Sequence, residues 1–522
     1  MILTVPQIRE SERLTMAEEP ISSLLLMERA GTTFYYQLED EHFIDEAQAV
    51  YIFCGPGNNG GDGLVVARLF AQNERYVHVV NCSFDKKNTD EFRANFDRLQ
   101  QWRQERPDLV EISDFQFFIK QQHDLTQSVC IDAVFGIGLT RPVEGDFATV
   151  VDFINDSFPT VVAVDVPSGL WPDSPLPDNA VCVRATHTYT FQYMKWEFLL
   201  PMNRDVVGEV KVLDIGLRLP EALKRRVMPD ETAVHVVDAD IAAALRPHID
   251  RCAHKGTFGH ALLIAGSRRM PGAAVLSATA ALRGGCGKLT VHTTPNVAAA
   301  LPIALPEAII NADSCDECVT TCHWEDLDGL NAIAIGPGIG QAAKTEALLK
   351  SLLSEVHSPT LFDADALNLL AANKTLLADL PPRSILTPHP KEFDRLAGAS
   401  PTHADRLQRL CQFACQYNVI VVLKGHNSVV AVPRDGQRCD LFINTTGNPG
   451  MGTAGSGDVL TGLMLGLLAR TRQPEAAALL GTYIHGLAGD IALETESEES
   501  LVASDITRHI GRAFKYIETY LQ

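Results

Sequence analysis

Ala49-Val50-Tyr51-Ile52-Phe53-Cys54-Gly55-Pro56-Gly57-Asn58-Asn59-Gly60-Gly61-Asp62-Gly63 is the segment that decides the fold of the first half of the chain. Its first six residues predict a buried strand, and residues 64–71 after it predict a helix. A glycine-rich loop between a strand and a helix presents backbone N–H groups that bind anions. The segment therefore predicts a ligand-binding α/β domain.

The same strand-to-loop unit recurs through the first 215 residues. Further strands are predicted at residues 76–80, 128–135 and 161–166. Strands that alternate with helices favour a parallel, Rossmann-like sheet with right-handed crossovers. Ligands bind at the carboxyl ends of such strands, so we expect the glycine loop, Asp132 and Asp165 to lie in one crevice.

The second half of the chain shows another alternating series, which predicts a second α/β sandwich. A charged stretch with two prolines at residues 215–235 has no periodicity and suits an interdomain connection. Predicted strands of the second half lie at residues 261–266, 332–340, 360–365, 384–390 and 419–425, and predicted helices at 273–281, 341–353 and 406–414.

Composition limits the possible partners. The chain has 522 residues, 46% of them apolar, and a formal net charge of −21. Its length favours at least two domains, and its charge argues against a nucleic-acid backbone as ligand. No apolar run approaches the ~18 residues of a membrane span, and the N-terminus lacks the features of a secretory signal. We expect a cytoplasmic protein that holds anionic ligands with local glycine loops and a few placed cations.

A second glycine run, Asn448-Pro449-Gly450-Met451-Gly452-Thr453-Ala454-Gly455-Ser456-Gly457-Asp458, precedes an apolar stretch at residues 459–468 that predicts a helix. No Lys follows the last glycine, so the run is not a P-loop. Asp458 would be repelled by a bound phosphate unless it accepts or positions a hydroxyl proton there. The alternative is a glycine turn that caps a buried helix, and the presence of two such loops favours nucleotide chemistry.

The first crevice resembles a dinucleotide site only in part. Gly55-x-Gly57-x-x-Gly60 matches the dinucleotide fingerprint, but no Asp or Glu ends the second strand to bind a ribose. Asn58 and Asn59 bring amides to the loop, and Asp132, Asp165 and Ser168 bring oxygen ligands that suit a hard cation. Each carboxylate alone would more often be a helix cap or turn former.

Four motifs of the first half of the chain are specific as a set. They are residues 26–31 (Leu-Met-Glu-Arg-Ala-Gly), the glycine loop 55–63, residues 132–139 (Asp-Ala-Val-Phe-Gly-Ile-Gly-Leu) and residues 164–170 (Val-Asp-Val-Pro-Ser-Gly-Leu). By these motifs, residues 1 to about 215 resemble the NAD(P)H-hydrate epimerase domain, also called YjeF N-terminal. A departure is Trp171-Pro172-Asp173, where the family usually has an Asp-rich turn.

This resemblance implies a set of site residues. Asp165 would be the acid/base at the epimerised centre. Lys195 is a weaker candidate for a catalytic or phosphate contact, and the alternative is a surface lysine. Potassium would be bound by Asn59, Asp132 and Ser168. The hydrated dinucleotide would be held by Asn58, Asn59, Gly60, Gly61, Asp62, Gly136, Ile137, Gly138, Leu139, Thr140, Arg141, Pro142 and Asp165.

Five ordered motifs mark the second half of the chain. They are residues 255–260 (Lys-Gly-Thr-Phe-Gly-His), 336–340 (Gly-Pro-Gly-Ile-Gly), 363–368 (Asp-Ala-Asp-Ala-Leu-Asn), 387–393 (Thr-Pro-His-Pro-Lys-Glu-Phe) and the glycine run 448–458. By these motifs, residues from about 230 to 522 resemble the ADP-dependent NAD(P)H-hydrate dehydratases of the ribokinase-like fold, also called YjeF C-terminal. Met451–Gly455 differs from the family's commoner pattern by a swap among small residues.

The second resemblance also implies site residues. Gly338, His389 and Asp458 would contact the hydrate, with Asp458 taking the hydroxyl proton during phosphoryl transfer from ADP, which carries Mg²⁺. Loss of phosphate would then restore NAD(P)H. The adenine nucleotide would be contacted by Lys424, Gly425, His426, Asn427, Ser428 and Gly457.

The cysteines suggest a reducing compartment. Cys54, Cys130 and Cys182 lie in apolar, strand-like runs and are interpreted as small buried hydrophobes. Cys315-x-x-Cys318-x-x-x-Cys322-His323 has ligand-like spacing but no distant second pair, so reduced surface thiols are favoured over a zinc site.

The sequence as a whole predicts a bifunctional enzyme with an epimerase domain at residues 1–218 and a dehydratase domain at residues 230–522. It would interconvert the R and S forms of NADHX or NADPHX and dehydrate the S form with ADP, as a homo-oligomer without nucleic-acid or membrane partners. One alternative is a small-molecule kinase of the hydroxymethylpyrimidine or thiazole type with an accessory ligand-binding domain. A non-enzymatic nucleotide-binding regulator is the third possibility.

Overall fold

The computed structural model describes residues 2–84, 86–173, 176, 180–219, 234–321 and 329–521. The chain divides into two compact units, Met1–Met228 and Pro229–Gln522. Most of the predicted connection at 215–235, together with Cys322 and His323 of the cysteine cluster, lies outside the described residues. Within the described ranges, no helix is both long enough and apolar enough to cross a membrane.

The first unit is built on a seven-stranded sheet in the order β3-β2-β1-β4-β5-β6-β7. Every neighbouring pair in it is parallel. The strand order reverses between β1 and β4, which is where open parallel sheets form their binding crevice. The strands are β1 (Ala49–Cys54), β2 (Val77–Asn81), β3 (Val110–Asp114), β4 (Ser128–Ala133), β5 (Thr160–Val164), β6 (His187–Phe191) and β7 (Glu209–Leu213).

Helices cover both faces of this sheet. Ile52 packs with Phe34 and Phe70 on one face, while its neighbour Phe53 packs with Phe118 and Val150 on the other. Alternate residues of a strand point to opposite faces, so the central strands are buried on both sides. The helices are α1 (Val5–Glu18), α2 (Ser23–Glu39), α3 (His42–Asp45), α4 (Asn58–Gln72), α5 (Asp90–Glu105), α6 (Phe115–Phe118), α7 (Asp146–Ser157) and α8 (Arg204–Val207).

The second unit contains a ten-stranded sheet in the order β11-β10-β9-β12-β13-β14-β15-β16-β17-β8. Its strands are parallel except where β16 pairs with β15 and β17. The strands are β8 (Val234–Val237), β9 (His260–Ile264), β10 (Lys288–Thr293), β11 (Ile309–Ala312), β12 (Ala332–Ile335), β13 (Thr360–Phe362), β14 (Ile385–Leu386), β15 (Ile420–Leu423), β16 (Ser428–Pro433) and β17 (Cys439–Asn444).

The second sheet is also buried on both faces. Leu361 belongs to a core cluster with Ala278 and Leu463, and its neighbour Phe362, which points to the other face, is likewise fully buried. The helices are α9 (Ala239–Leu245), α10 (Pro271–Arg283), α11 (Pro295–Ala304), α12 (Ala343–Glu355), α13 (Ala364–Ala372), α14 (Pro390–Ala397), α15 (His403–Tyr417), α16 (Ser456–Thr471), α17 (Pro474–Ala492) and α18 (Ala503–Glu518).

The predicted α/β fold class is confirmed, since each unit is built on a largely parallel sheet and the strand order of the first unit is Rossmann-like. The predicted helix starts are wrong in two places. Helix α4 begins at Asn58 and α16 at Ser456, so the last residues of both glycine runs are helical. The loss of helix propensity at glycine is outweighed here by close packing, because a Cβ on Gly60 would lie 1.9 Å from the carbonyl oxygen of Gly55.

Candidate active sites

The site of the first unit is a cavity of about 710 Å³ at the carboxyl ends of its strands. Loops after β1, β4, β5 and β6 reach it, and these four strands are adjacent in the sheet. Helices α1 and α2 and the segment after β7, with Ile215 and Leu217, supply the remaining wall. The lining includes Asn58, Asn59, Asp62, residues 136–141, Asp165 and Lys195 among the candidates named from sequence.

Asp165 and Lys195 form a buried ion pair beside this cavity. Lys195 Nζ lies 2.6 Å from Asp165 Oδ1, and it also donates to Thr190 Oγ1 at 2.6 Å and to the Phe191 carbonyl at 3.2 Å. Asp165 Oδ1 further accepts from Thr190 Oγ1 and from the Phe191 N–H. The interpretation of Lys195 as a surface lysine is wrong, since its side chain is 1% exposed.

The backbone at Asp165 is in the left-handed region, with φ +64°. A non-glycine residue there stores strain of about 1–3 kcal/mol, which persists at functional sites where surrounding contacts hold it. The three hydrogen bonds to Oδ1 supply that restraint. Among the described residues no protein donor meets Oδ2, so this oxygen is available for proton transfer at the cavity.

Asn59, Asp132 and Ser168 converge around the backbone of Phe135, below the cavity. Asn59 Nδ2 donates to the Phe135 carbonyl at 2.9 Å, and the Phe135 N–H donates to Ser168 Oγ at 2.8 Å. Ser168 donates to both oxygens of Asp132, through Oγ at 2.6 Å and its N–H at 2.7 Å. The three predicted cation ligands therefore form one oxygen-rich cluster.

Asp132 is fully buried, and burial raises its pKa to about 6. The groups that donate to it, Ser168 and the Val134 N–H, are neutral. Among the described residues no Lys, Arg or His pairs with this carboxylate. A monovalent hard cation bound by oxygen ligands would compensate its charge, so the residues present fit potassium.

Several predicted contacts lie behind the cavity wall instead of on its surface. Gly60 and Gly61 do not line the cavity, because Gly60 packs on Gly55 and Gly61 packs on Met27. Pro142 also lies outside the lining. The altered segment 171–173 touches the rim, since Trp171 Nε1 donates to the carbonyl of Arg141 at 3.3 Å.

Sequence reasoning missed the contribution of helix α1. Ile8, Arg9, Glu12 and Met16 line the cavity at helical spacing. Burial is the main reason that the pKa of Glu12 rises to about 7, and the charge of Asp165 adds to the shift. The signal that could have revealed Glu12 is its spacing of one turn from the apolar residues Ile8 and Met16 on an amphipathic helix.

The site of the second unit gathers groups from the ends of β12, β13, β14 and β15, which are adjacent in that order. Asp363, at the end of β13, accepts from Lys424 Nζ at 2.9 Å and from Thr461 Oγ1 at 2.6 Å. Burial alone would raise the pKa of Asp363, but the Lys424 ammonium holds it below its usual value. Asp363 anchors the lysine, a role that the sequence motif did not reveal.

Asp458 lies in the first turn of α16, whose N-cap is Gly455 with φ +91°. The N-cap glycine has no side chain that could cap the first-turn N–H groups, and an uncapped helix N-terminus of this kind suits an anion. A Cβ on Gly457 would lie 3.6 Å from Lys424 Nζ, so the cation stands at this helix end. Burial and the negative charge of Asp363 raise the pKa of Asp458 to about 6.

His389 caps helix α14. Its Nδ1 accepts from the Glu392 N–H at 3.3 Å, which places the ring proton on Nε2. Burial lowers the pKa of this imidazole, and Lys424 contributes to the same shift. The side chain is 45% exposed, so its Nε2–H can donate to a ligand.

The glycine at 338 is required by the backbone. Gly338 has φ +63°, and a Cβ there would lie 2.7 Å from Met270 Cβ. Gly340 in the same loop donates its N–H to Asp365 Oδ2 at 2.9 Å. A cavity of about 590 Å³ next to this loop is lined by Gln341, Asn368, Ala371, Ala372 and Arg395, and not by Gly338, His389 or Asp458.

Two predicted groups remain, the nucleotide-contact segment 424–428 and the cysteine cluster at 315–323. Lys424–Ser428 form the end of β15 and the turn into β16, where the Gly425 N–H donates to Ser428 Oγ at 3.4 Å. Cys315 and Cys318 are free and partly exposed. Within the described ranges, no three His, Cys, Asp or Glu residues gather to hold a metal ion.

Comparison with known proteins matches each unit to a family model. Residues 23–197 match the YjeF-related protein N-terminus, and residues 261–512 match NAD(P)H-hydrate dehydratase. The bifunctional NAD(P)H-hydrate repair enzyme Nnr of Moorella thermoacetica is 34% identical over 99% of this chain and 97% of its own length. The enzyme of the same name from Escherichia coli is 32% identical over 97% of this chain and 92% of its length.

Among solved structures, the ADP/ATP-dependent NAD(P)H-hydrate dehydratase from Bacillus subtilis, co-crystallised with ATP and Mg²⁺, is 32% identical. The match covers 54% of this chain and 99% of that one, with a TM-score of 0.47.

Proposed function

Because the chain belongs to the family of bifunctional NAD(P)H-hydrate repair enzymes, we propose that its first unit epimerises NAD(P)H hydrate and its second unit dehydrates the S form. The observation that carries the proposal is a lysine–carboxylate pair at the strand ends of each unit, Asp165 with Lys195 and Asp363 with Lys424. Each pair stands beside glycine-rich backbone at a helix start. We assign the epimerase to residues 1–218 and the dehydratase to residues 230–522.

In the first unit, Asp165 is the proton-transfer group at the carbon that carries the hydroxyl. Lys195 holds Asp165 Oδ1, and Oδ2 is left for the substrate. The first-turn N–H groups at Asn58 and Asn59 bind the pyrophosphate, and residues 136–141 close over the dinucleotide. Gly60 and Gly61 shape this wall from behind, and the exposed Pro142 follows the segment 136–141.

Potassium is the cation we propose for Asn59, Asp132 and Ser168. Its charge would fix the loop at Phe135 and thereby the adjacent segment 136–141. An Asp132→Asn variant is expected to lose potassium-dependent protection of the first unit against thermal unfolding. The measurement is the rise in the unfolding temperature in potassium relative to sodium. An equal rise for the variant and the wild-type protein would show that the cation binds elsewhere.

In the second unit, Asp458 takes the proton of the substrate hydroxyl while that oxygen attacks the terminal phosphorus of Mg²⁺-bound ADP. The new O–P bond forms as the bond to AMP breaks. The C–O bond then breaks with release of phosphate, driven by the ring nitrogen, and loss of a proton from the next carbon restores NAD(P)H.

The groups around Asp458 divide between the two ligands. Gly338 and His389 contact the hydrate, with His389 donating from Nε2. Lys424, the turn 425–428 and Gly457 contact the nucleotide, where a cation and free N–H groups stabilise the developing charge. A kinase of the hydroxymethylpyrimidine or thiazole type would use similar groups but would release a stable phosphate ester, and it would have no need of the first unit.

Two variants separate the proposed activities. Asp165→Ala should leave R hydrate unconverted while S hydrate is still dehydrated. Asp458→Ala should form no NADH, while R and S hydrate still interconvert. Asp152→Ala and Asp435→Ala, at exposed positions in the same two units, are the controls. If Asp458→Ala still forms NADH from S hydrate, or if a phosphorylated product accumulates, the proposed dehydratase chemistry is wrong.

We also propose that the enzyme acts in the cytoplasm as a homo-oligomer on NADHX and NADPHX. The family assignment supports the substrate class. Light scattering on purified protein and kinetics with the two hydrates test the assembly and the substrate preference directly.

A further inference from the structure

One face of helix α1 contributes a third carboxyl group to the first cavity, beside those of Asp62 and Asp165. Arg9 and Glu12 stand one turn apart and line the cavity together with Asp165 and Lys195. The Arg9 guanidinium lies near Gly138, since a Cβ there would be 3.7 Å from Arg9 Nη2. Helix α1 therefore presents a cation and a carboxyl group to the space between residues 136–141 and the Asp165–Lys195 pair.

Epimerisation at a carbon bonded to both a hydroxyl and the ring nitrogen requires a base and an acid. The base takes the hydroxyl proton, the O–H electron pair forms a C=O bond, and the C–N bond breaks. Its electron pair passes to the ring nitrogen, which takes a proton from the acid. Rotation of the aldehyde followed by the reverse steps, which return both protons, gives the other epimer.

We propose that Glu12 is the acid of this step and Asp165 its base, so that Glu12 is a second catalytic residue of the epimerase. The inference rests on the proposed function of the first unit. Asp165, held by Lys195, is placed to accept a proton, whereas Glu12 lies on a different wall and has no ion-pair partner among the described residues. The two carboxyl groups can therefore act on the oxygen and the nitrogen of one ring.

The surroundings of Glu12 support its role. Burial and the charge of Asp165 raise its pKa to about 7, while Lys195 and Arg9 oppose the shift. An acid whose pKa lies near the working pH both donates and recovers a proton readily. Asp62 on α4 also lines this cavity, and burial raises its pKa well above its usual value, with a smaller contribution from the charge of Asp165.

The test is the interconversion of R and S hydrate by the full chain without ADP, so that the dehydratase is idle. Glu12→Gln should lower kcat for epimerisation by about 10²- to 10⁴-fold with little change in KM. Glu12→Asp should recover part of kcat. Glu10→Gln is the matched control, because Glu10 is on the same helix but is exposed and paired with Arg13.

The pH profile distinguishes a proton donor from a structural residue. Since Glu12 must be protonated to donate, wild-type kcat should fall as the pH rises through about 7. Glu12→Asp should keep such a limb, and the residual rate of Glu12→Gln should lack it. Wild-type kcat in Glu12→Gln, or a change confined to KM, would overturn the role of Glu12, whereas an inactive wild-type enzyme would overturn the proposed epimerase itself.

Discussion

Lys195 Nζ lies 2.6 Å from Asp165 Oδ1, and both side chains are buried. The two residues come from different strand ends, after β6 and after β5, so the pair forms only when the parallel sheet is complete. Every N–H of the ammonium is used, by Asp165, Thr190 and Phe191. The pair thus has two effects: it stabilises the first unit, and it positions Asp165, the proposed proton-transfer group.

Replacement of the lysine should therefore affect folding as well as activity. Lys195→Met leaves the Asp165 carboxylate buried without a cation, which should lower the free energy of unfolding of the first unit by about 3–5 kcal/mol. Lys211→Met is the control, because the pair of Lys211 with Glu41 is partly exposed and should contribute less than about 1 kcal/mol. Urea unfolding measures the free energy of unfolding of both variants. An equal decrease in the two would show that the buried pair contributes no more to stability than the partly exposed pair.

Dehydration should depend on pH through Asp458. Its pKa is raised to about 6, chiefly by burial, and the base must be ionised to accept a proton. The kcat/KM for NADH formation from S hydrate should therefore be constant above this pH and fall as the pH drops through about 6. A profile that stays level down to pH 4.5 would exclude Asp458 as the base.

Lys424 should control nucleotide binding. Lys424→Met removes the cation at the start of α16, and a hydrogen bond to a charged group contributes about 1.5–3 kcal/mol, so KM for ADP should rise at least about tenfold. Lys391→Met, at an exposed position of helix α14, should leave KM unchanged. Similar KM values for both variants in steady-state kinetics would contradict the assignment of Lys424 to the nucleotide.

Substitution of glycine by alanine in the first glycine run should destabilise the protein at Gly60 but not at Gly57. Gly60→Ala forces a Cβ to within 1.9 Å of the Gly55 carbonyl oxygen and should destabilise the first unit by about 1–3 kcal/mol. Gly57→Ala meets no atom within 4 Å at φ −92° and should leave the melting temperature nearly unchanged. If calorimetry gave Gly57→Ala the lower melting temperature of the two variants, Gly60 would not pack against the Gly55 carbonyl.

Much of the fold follows from local sequence pattern. Continuous apolar runs such as Val129–Ile131 and Ile420–Leu423 predict buried parallel strands, and both are observed. Strands with mixed polarity were not predicted, among them Val110–Asp114 and Glu209–Leu213 at the two edges of the first sheet. An edge strand is partly solvated, so its sequence carries a weaker signal.

The sites were predictable where a motif holds the chemistry. Asp165 and Asp458 were recognised because they follow a strand or a glycine run of unusual composition. Glu12 and Asp363 were not, because their roles depend on long-range neighbours: Glu12 on a strand end some 150 residues away, and Asp363 on Lys424. The burial of Lys195 likewise depends on the packing of Thr190 and Phe191, which spacing along the chain does not reveal.

The most direct test of the two-step account is to give the full chain a mixture of R and S NADH hydrate with Mg²⁺ and ADP, and to follow nicotinamide absorbance to completion. The account predicts that both epimers are converted to NADH, with AMP and phosphate formed in equal amounts, and that Asp165→Ala stops with R hydrate remaining. If no NADH appears with either ADP or ATP, the account is wrong.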